Sequence, residues 1–202
     1  MDSPWLIGVL ILSAYLLGSV PFGVVVSRLL GAVDPRTAGS KNVGFTNVLR
    51  VSGKKAGVLT LAGDIGKGWL AGWAATMLLH QEAAVLWVAL ASILGHLHSI
   101  FLGLKGGKGV ATAIGVFLGL HPLVGLAMCG TWLLTAIICR YSSVAALTAI
   151  SLAPVYLYLI GAAWLPIIIA VLIVVLVWIR HHGNLRRLLR GEEPKIGAKK
   201  KP

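Results

Sequence analysis

Apolar runs recur along this chain at residues 5–30, 56–79, 83–104, 110–120, 123–139, 144–160 and 162–179, with short polar breaks between them. A helix of about 20 apolar residues crosses a bilayer, and unpaired backbone groups are not tolerated in lipid. This pattern predicts an all-α, polytopic membrane protein, with residues 1–202 forming a single integral-membrane domain. A hydrophobic content of 57% and a mean hydropathy of +0.89 agree, since few soluble domains reach either.

The charges set the number and direction of the spans. Seven alternating transmembrane helices gather residues 31–55, 103–109, 140–143 and 180–202 on one side. All of the 18 Lys and Arg fall there except Arg28, which ends the first run, and Lys67, inside the second. The opposite turns, near residues 1–4, 80–82, 120–122 and 160–164, hold none. The positive-inside rule then predicts an N-terminus outside and a cytoplasmic C-terminus, with residues 186–202 as a basic cytoplasmic tail. Joining residues 110–139 into one kinked span would put Arg140 and the tail outside, breaking that rule twice. Residues 110–120 cover only about half a bilayer if helical, so this span is expected to be short, tilted or sunk. Residues 1–4 lack the basic region of a signal peptide, so the first run is expected to be retained.

Composition removes several kinds of chemistry. With only six acids against a net charge of +12, carboxylate metal cages and paired-carboxylate sites are poorly supported. No metal or cofactor is expected, and no nucleic-acid partner. Cys129 and Cys139 are ten residues apart, ~15 Å along a helix, too far to bridge within it. There is no Gly-x-Ser-x-Gly elbow, and no histidine has Asp five residues on. A serine-hydrolase triad lacks a suitably placed acid.

What remains polar is concentrated. Gly103-Leu104-Lys105-Gly106-Gly107-Lys108-Gly109-Val110-Ala111-Thr112 interleaves lysine with glycine, which suits a phosphate or carboxylate held by backbone N–H groups and positive charge. It departs from the Walker pattern because Gly109 follows Lys108. A flexible turn whose lysines obey membrane topology is the plainer alternative. The first polar loop, Gly39-Ser40-Lys41-Asn42-Val43-Gly44-Phe45-Thr46-Asn47-Val48-Leu49-Arg50, is dense in small hydrogen-bonding groups, and Arg50 suits phosphate. Its plainer reading is a turn-rich loop in which Thr46 or Asn47 caps a helix.

Asp64 and Lys67 stand three apart inside the second run, on one helical face, and are expected to pair. His96 and His98 lack the Cys or carboxylate neighbours of a metal site, so a hydrogen bond to backbone or a nearby loop is expected of His96. In the tail, His181 and Asn184 share a face if the last helix continues, and can orient an anion. Arg186, Arg187, Arg190 and Lys199 to Lys201 read instead as an anchor to anionic lipid.

Taken together, residues 39–50, the Asp64-x-x-Lys67-Gly68 step, Gly95-His96 through Lys105-Gly106-Gly107-Lys108-Gly109-Val110-Ala111-Thr112, and Arg180-His181 through Asn184 to Glu193 resemble the bacterial acyl-phosphate-dependent glycerol-3-phosphate acyltransferases. The resemblance covers nearly the full chain and keeps motif order and spacing. Lys41, Phe45 and Leu97-His98-Ser99 depart from the family pattern, where Gly, Ala and a Phe-Pro step are usual. These departures bear on local loop shape and substrate affinity more than on reaction class.

The resemblance implies a seven-span enzyme of the bacterial inner membrane with its active site facing the cytoplasm. The reaction implied moves a fatty acyl group from acyl phosphate to the 1-hydroxyl of glycerol 3-phosphate, giving lysophosphatidic acid and phosphate in phospholipid synthesis. Ser40, Arg50, Lys108 and His181 are then the catalytic candidates. Lys105 with the backbone amides of Gly106, Gly107 and Gly109 is expected to hold the acyl phosphate. Asn42, Asn47, Ser143 and Asn184 complete the substrate-binding set, with Ser142 as an alternative to Ser143. His181 or the substrate phosphate accepts the hydroxyl proton. Because acyl phosphate is already activated, positioning and charge stabilisation can supply most of the acceleration.

Competing readings are a lipid-phosphate phosphatase, an acyl-CoA-dependent transferase and a membrane transporter of an organic phosphate. A transporter needs polar groups at mid-bilayer, and only Asp64 and Lys67 come close; without an internal repeat it has no direct support. Acyl-chain preference and oligomeric state are not set by the sequence.

Overall fold

The structure, a computed structural model, describes residues 2–197. Those residues form helices and turns without a strand. The helices are α1 (Pro4–Ser19), α2 (Phe22–Leu29), α3 (Phe45–Leu78), α4 (Glu82–Leu97), α5 (Val110–Leu120), α6 (Pro122–Cys139), α7 (Ser142–Leu159), α8 (Trp164–Arg180) and α9 (His182–Leu189). One turn of 3-10 helix, Ile100–Leu102, follows α4. The chain forms two compact units, residues 1–125 and 126–202.

The first unit is organised by close helix contacts at small residues. Helix α3 packs along α5, and each presents two glycines four apart. A Cβ at Gly68 would stand 2.1 Å from the Thr112 carbonyl oxygen, and one at Gly115 would stand 2.0 Å from that of Ile65. Gly72 and Gly119 repeat the contact one turn on. Helices α1 and α4 meet in the same way, Gly18 against Ser92 and Gly95 against Tyr15. In lipid the hydrophobic effect does little to join helices, so this backbone-to-backbone fit carries much of the association. Ala14, Ala71, Ala75, Leu79, Ala84, Val88 and Ala91 fill the space between α1, α3 and α4.

Both ends of this unit are tied. At one, the Asp2 carboxylate accepts hydrogen bonds from the amides of His80 and Gln81 at the start of α4, the shortest being 2.8 Å. At the other, the Ser99 hydroxyl donates to the Ser19 carbonyl (2.5 Å) and the Tyr15 hydroxyl to that of His98 (2.7 Å).

The first apolar run is not one straight helix. It bends by 49° between α1 and α2, where Pro21 has no N–H to continue the ladder. The carbonyls released there find donors: Val20 accepts the Lys67 ammonium at 2.8 Å, and Ser19 accepts Ser99. The polar interval 31–55 is also shorter than its composition suggests, because α3 begins at Phe45. Gly53, at φ 89° and ψ 174°, then breaks α3 into a short helix carrying Asn47 and Arg50 and a long one carrying Asp64 and Lys67. The last run breaks too, with α8 and α9 inclined by 59° around His181.

In the second unit α7 packs along α8, and the Trp178 indole donates to the Ser151 hydroxyl at 3.0 Å. Thr131 of α6 and Tyr156 of α7 share a 2.5 Å hydroxyl contact. The chain after α9 folds back on the α6–α7 turn, where the Ile196 amide donates to the Arg140 carbonyl at 2.7 Å. Lys195 lies over the Tyr141 ring, 5.7 Å from its centroid. Lys199, Lys200 and Lys201, expected as a lipid anchor, lie outside the described residues.

By length and composition three described helices suffice to cross a membrane, 82–102, α6 and α7, and up to five if each bent pair is one span. Large apolar side chains stand exposed on them, Ile137 by 74% and Leu159 by 72%, as a lipid-facing surface requires.

Candidate active site

The first loop is built around one buried amide. Asn47 Oδ1 accepts the Ser40 amide at 2.9 Å, while Nδ2 donates to the carbonyls of Pro35, Ala38 and Asn42 at 2.9, 3.1 and 2.9 Å. Asn42 closes a tighter turn inside it, accepting the Gly44 amide at 2.8 Å. Gly39, with φ 63°, packs beneath the Asn47 side chain, where a Cβ would stand 2.2 Å from Oδ1. Arg36 pairs with Asp34 at 2.5 Å and holds that carboxyl below the usual range. Asn42 and Asn47 thus shape the loop, while the Ser40 and Arg50 side chains are exposed. Neither Thr46 nor Asn47 caps α3; the cap position is Gly44, without a side-chain bond, because Asn47 lies inside the first turn.

The glycine–lysine loop folds back over the end of α4. The last carbonyls of a helix have no partner within it. Here the Gly106 amide donates to Leu97 (3.1 Å) and the Gly107 amide to His96 (3.0 Å). These two N–H groups, expected to face an anion, are therefore engaged by the protein's own backbone. The two glycines serve close approach instead. A Cβ at Gly106 would stand 2.0 Å from the His96 carbonyl oxygen, and one at Gly107 would stand 2.2 Å from His96 Nε2. Gly109, at φ 88°, is the cap residue of α5, whose first turn begins at Val110. That turn offers the N–H groups and positive helix end that suit an anion. Lys105 is exposed and Lys108 half-buried beside it.

Below this loop lies a buried polar knot. Lys67 Nζ and Asp64 Oδ1 are 3.0 Å apart, the expected pair, in side chains only 1% and 3% exposed. The contact is an ion pair, and another N–H of the Lys67 ammonium donates to the Val20 carbonyl at 2.8 Å. His96 Nδ1 approaches the same Asp64 oxygen at 3.5 Å. A narrow cleft beside the knot is lined by Ser19, Phe22, Val43, Ser99 and Gly106. The mid-span groups a transporter would need are thus bound to one another and to backbone.

In the second unit His181 is buried where α8 gives way to α9, and its Nδ1 lies 2.8 Å from the Val177 carbonyl. A carbonyl only accepts, so Nδ1 carries the proton and Nε2 is the basic nitrogen of the neutral ring. The bend keeps Asn184 one turn on, its amide donating to the His181 carbonyl at 2.9 Å.

Glu193, to which no sequence motif assigns a role, gathers this region. Its Oε1 accepts hydrogen bonds from Ser143 Oγ and Asn184 Nδ2, and its Oε2 one from Arg187 Nε, each 2.7 Å. Burial pushes its carboxyl up, but the bonds from Asn184, Ser143 and Arg187 outweigh this and hold it below the usual range. The signal was a rare acid in a basic tail. Ser143 and Asn184, expected on substrate, each commit one donor to this carboxylate.

A family profile described as Glycerol-3-phosphate acyltransferase matches residues 8–191. A glycerol-3-phosphate acyltransferase of Burkholderia lata is 55% identical over 193 residues, covering 94% of this chain and 91% of that protein. One from Bordetella petrii is 52% identical, covering 98% and 97%. The crystal structure of PlsY (YgiH), an integral membrane glycerol 3-phosphate acyltransferase, in its glycerol 3-phosphate form, superposes with a TM-score of 0.89. It shares 42% identity, over 95% of this chain and 96% of that one. The lysophosphatidic acid form of PlsY gives 0.87 and 41%, over 95% of each chain. This is a multi-pass membrane protein, and it belongs to the glycerol-3-phosphate acyltransferase family.

Proposed function

We propose that this protein transfers a fatty acyl group from acyl phosphate to the 1-hydroxyl of glycerol 3-phosphate. The products are lysophosphatidic acid and inorganic phosphate. The observation that carries the reading is likeness over nearly the whole chain to an enzyme solved with the acceptor and with the product. The donor rests on the family resemblance of the glycine–lysine loop.

In the reaction the acceptor hydroxyl oxygen bonds to the acyl carbonyl carbon, the carbon–oxygen bond to phosphate breaks, and phosphate leaves with its electron pair. Lys105 and Gly109 are assigned to the acyl phosphate, with the first turn of α5 supplying N–H groups in place of the Gly106 and Gly107 amides, which the end of α4 holds. Lys108, Arg50 and Ser40 are assigned to glycerol 3-phosphate and to charge developing on the carbonyl oxygen. His181 and Asn184 orient the acceptor, and the hydroxyl proton goes to His181 Nε2 or to the substrate phosphate. Ser143, Asn42 and Asn47 complete the set, the last two through loop shape.

We assign seven spans, α1 with α2 as the first and α3 to α8 as the rest, in one integral-membrane domain. The N-terminus is outside and the C-terminus cytoplasmic, in a bacterial inner membrane, with the loops above facing the cytoplasm. The Asp2 contact with His80 and Gln81 supports this alternation, since it puts two lysine-free turns at one end.

The test is turnover by protein purified in detergent or lipid. Acyl phosphate with glycerol 3-phosphate yields lysophosphatidic acid, and acyl-CoA does not replace the donor. Absence of product with either donor refutes the assignment; product from acyl-CoA alone corrects the donor. His181→Gln separates the two proton acceptors: loss of the acidic limb of the pH–rate profile assigns the proton to histidine, and an unchanged limb assigns it to phosphate.

A further inference from the structure

The buried knot joins three elements distant in sequence. Asp64 and Lys67 are on α3, His96 is one residue from the end of α4, and Gly107 lies ten residues after that end. As whole residues Asp64, Lys67 and His96 are 2%, 3% and 6% exposed. The knot is far more costly than apolar packing, because burying a charge in a span requires a partner for every charge. Lys67 has a use of its own, donating to the carbonyl released at the α1–α2 bend. That does not account for His96.

The imidazole lies between the two. One nitrogen, Nδ1, is 3.5 Å from Asp64 Oδ1. The other, Nε2, lies beneath Gly107, so close that a methyl group there would stand 2.2 Å away. The same residue's carbonyl accepts the Gly107 amide at 3.0 Å. His96 thus holds Gly107 from two directions, by its backbone and by its ring. The residue after Gly107 is Lys108.

We infer that Asp64 and His96 are positioning residues for the acyl transfer: the Asp64 carboxylate orients the His96 imidazole as a floor under Gly107, which fixes the placement of Lys108 and the entry to α5. The inference rests on the function proposed above only for its kinetic consequence; the mechanical part stands on the loop itself. It gives a reason for glycine at position 107 that is independent of anion binding.

Two readouts separate a positioning role from general support. The first is amide hydrogen exchange at Gly106 and Gly107 in the full-length protein, which needs no activity. His96→Ala is expected to speed exchange there by about tenfold or more, with α4 and α6 unchanged. The second is kinetic. A misplacement of ~1 Å costs up to about a hundredfold, so His96→Ala is expected to lower kcat by tens of fold. KM for glycerol 3-phosphate is expected to rise less than kcat falls, because, of its assigned contacts, Lys108 moves while Arg50 and Ser40 stay in place.

The decisive measurement is a double-mutant cycle. Gly107→Ala drives a methyl into the ring and is expected to lose about a hundredfold in turnover; removing the ring in His96→Ala/Gly107→Ala recovers about tenfold of it. Asp64→Asn combined with Lys67→Met removes both charges together and is expected to reproduce the exchange and kcat changes of His96→Ala. Wild-type exchange at Gly106 and Gly107 in His96→Ala overturns the inference whatever the activity. So does strict additivity in the cycle, or wild-type behaviour of the Asp64→Asn/Lys67→Met protein. A wild-type protein that makes no lysophosphatidic acid refutes the proposed function, and the exchange result still decides this one.

Discussion

Glu193 Oε1 accepts a 2.7 Å hydrogen bond from Ser143 Oγ, so the chain beyond α9 is fastened to the first turn of α7 across fifty residues of sequence. The fastening depends on charge. With its folded value lowered from 4.5, Glu193 contributes stability that is complete above that unfolded value. The contribution is lost as pH falls through the lowered folded value. Exchange of the Ile196 amide, which bonds to Arg140, is expected to be slow at neutral pH and to accelerate only on strong acidification. Glu193→Ala should make it fast at every pH and cost about 2 kcal/mol, the scale of hydrogen bonds to a charged acceptor. An Ile196 amide that exchanges equally in both proteins at pH 7 removes the tether.

Lys108 and Lys105 are expected to separate kinetically. Lys108 is half-buried between a supported glycine and the cap of α5, whereas Lys105 is exposed at the loop's outer edge. A fixed charge facing the developing oxyanion is worth about 10²–10³ in rate, and an exposed one far less. Lys108→Ala should therefore abolish measurable turnover with an unchanged melting temperature. Lys105→Ala should raise KM for acyl phosphate several-fold and leave kcat near wild type. Full activity in Lys108→Ala would sink the central assignment of the site.

These contrasts mark how much could be read before the fold was seen. The apolar runs are a one-dimensional signal, and they locate the helices. Pro21 was in plain view, yet apolar neighbours on both sides hid the bend. Asp64 and Lys67 were paired on spacing alone because both sit on one helix. Their third member, His96, comes from another helix, and no local pattern marks it. Asn47 looked like a ligand because its amide can bind almost anything; only the fold shows three carbonyls already on its nitrogen. The amides of Gly106 and Gly107 misled in the same way, since the helix end that takes them is ten residues away.

The contact between α3 and α5 makes a prediction with an internal control. A Cβ at Gly115 would stand 2.0 Å from the Ile65 carbonyl oxygen, backbone that cannot rotate aside. Gly115→Ala is expected to cost about 1–3 kcal/mol through forced separation of the helices. Gly66, also inside α3, has nothing within 4 Å of its would-be Cβ. Gly66→Ala should be neutral or stabilising by up to ~1 kcal/mol, from helix propensity alone. Thermal unfolding of both variants in one detergent checks the pair, and equal effects would mean that the glycines do not set the α3–α5 distance.

The first loop separates shape from contact. Asn47→Asp is nearly isosteric but has no N–H to give, so it strands the carbonyls of Pro35 and Asn42, leaves Ala38 with the Lys41 amide alone, and buries a charge among them. Leaving buried groups unpaired costs about 1–3 kcal/mol apiece, so the loop is expected to open and both kcat and kcat/KM to fall together. Ser40 differs. Its backbone amide, not its hydroxyl, holds the loop to Asn47, and its side chain is exposed. Ser40→Ala should leave the loop's amide protection unchanged while raising KM for glycerol 3-phosphate by about tenfold, the loss of roughly 1.4 kcal/mol from one hydrogen bond to a charged ligand. Initial rates over a glycerol 3-phosphate series, with exchange measured on the same samples, distinguish the two. If Ser40→Ala lost amide protection in step with activity, its hydroxyl would belong to the loop and not to the substrate.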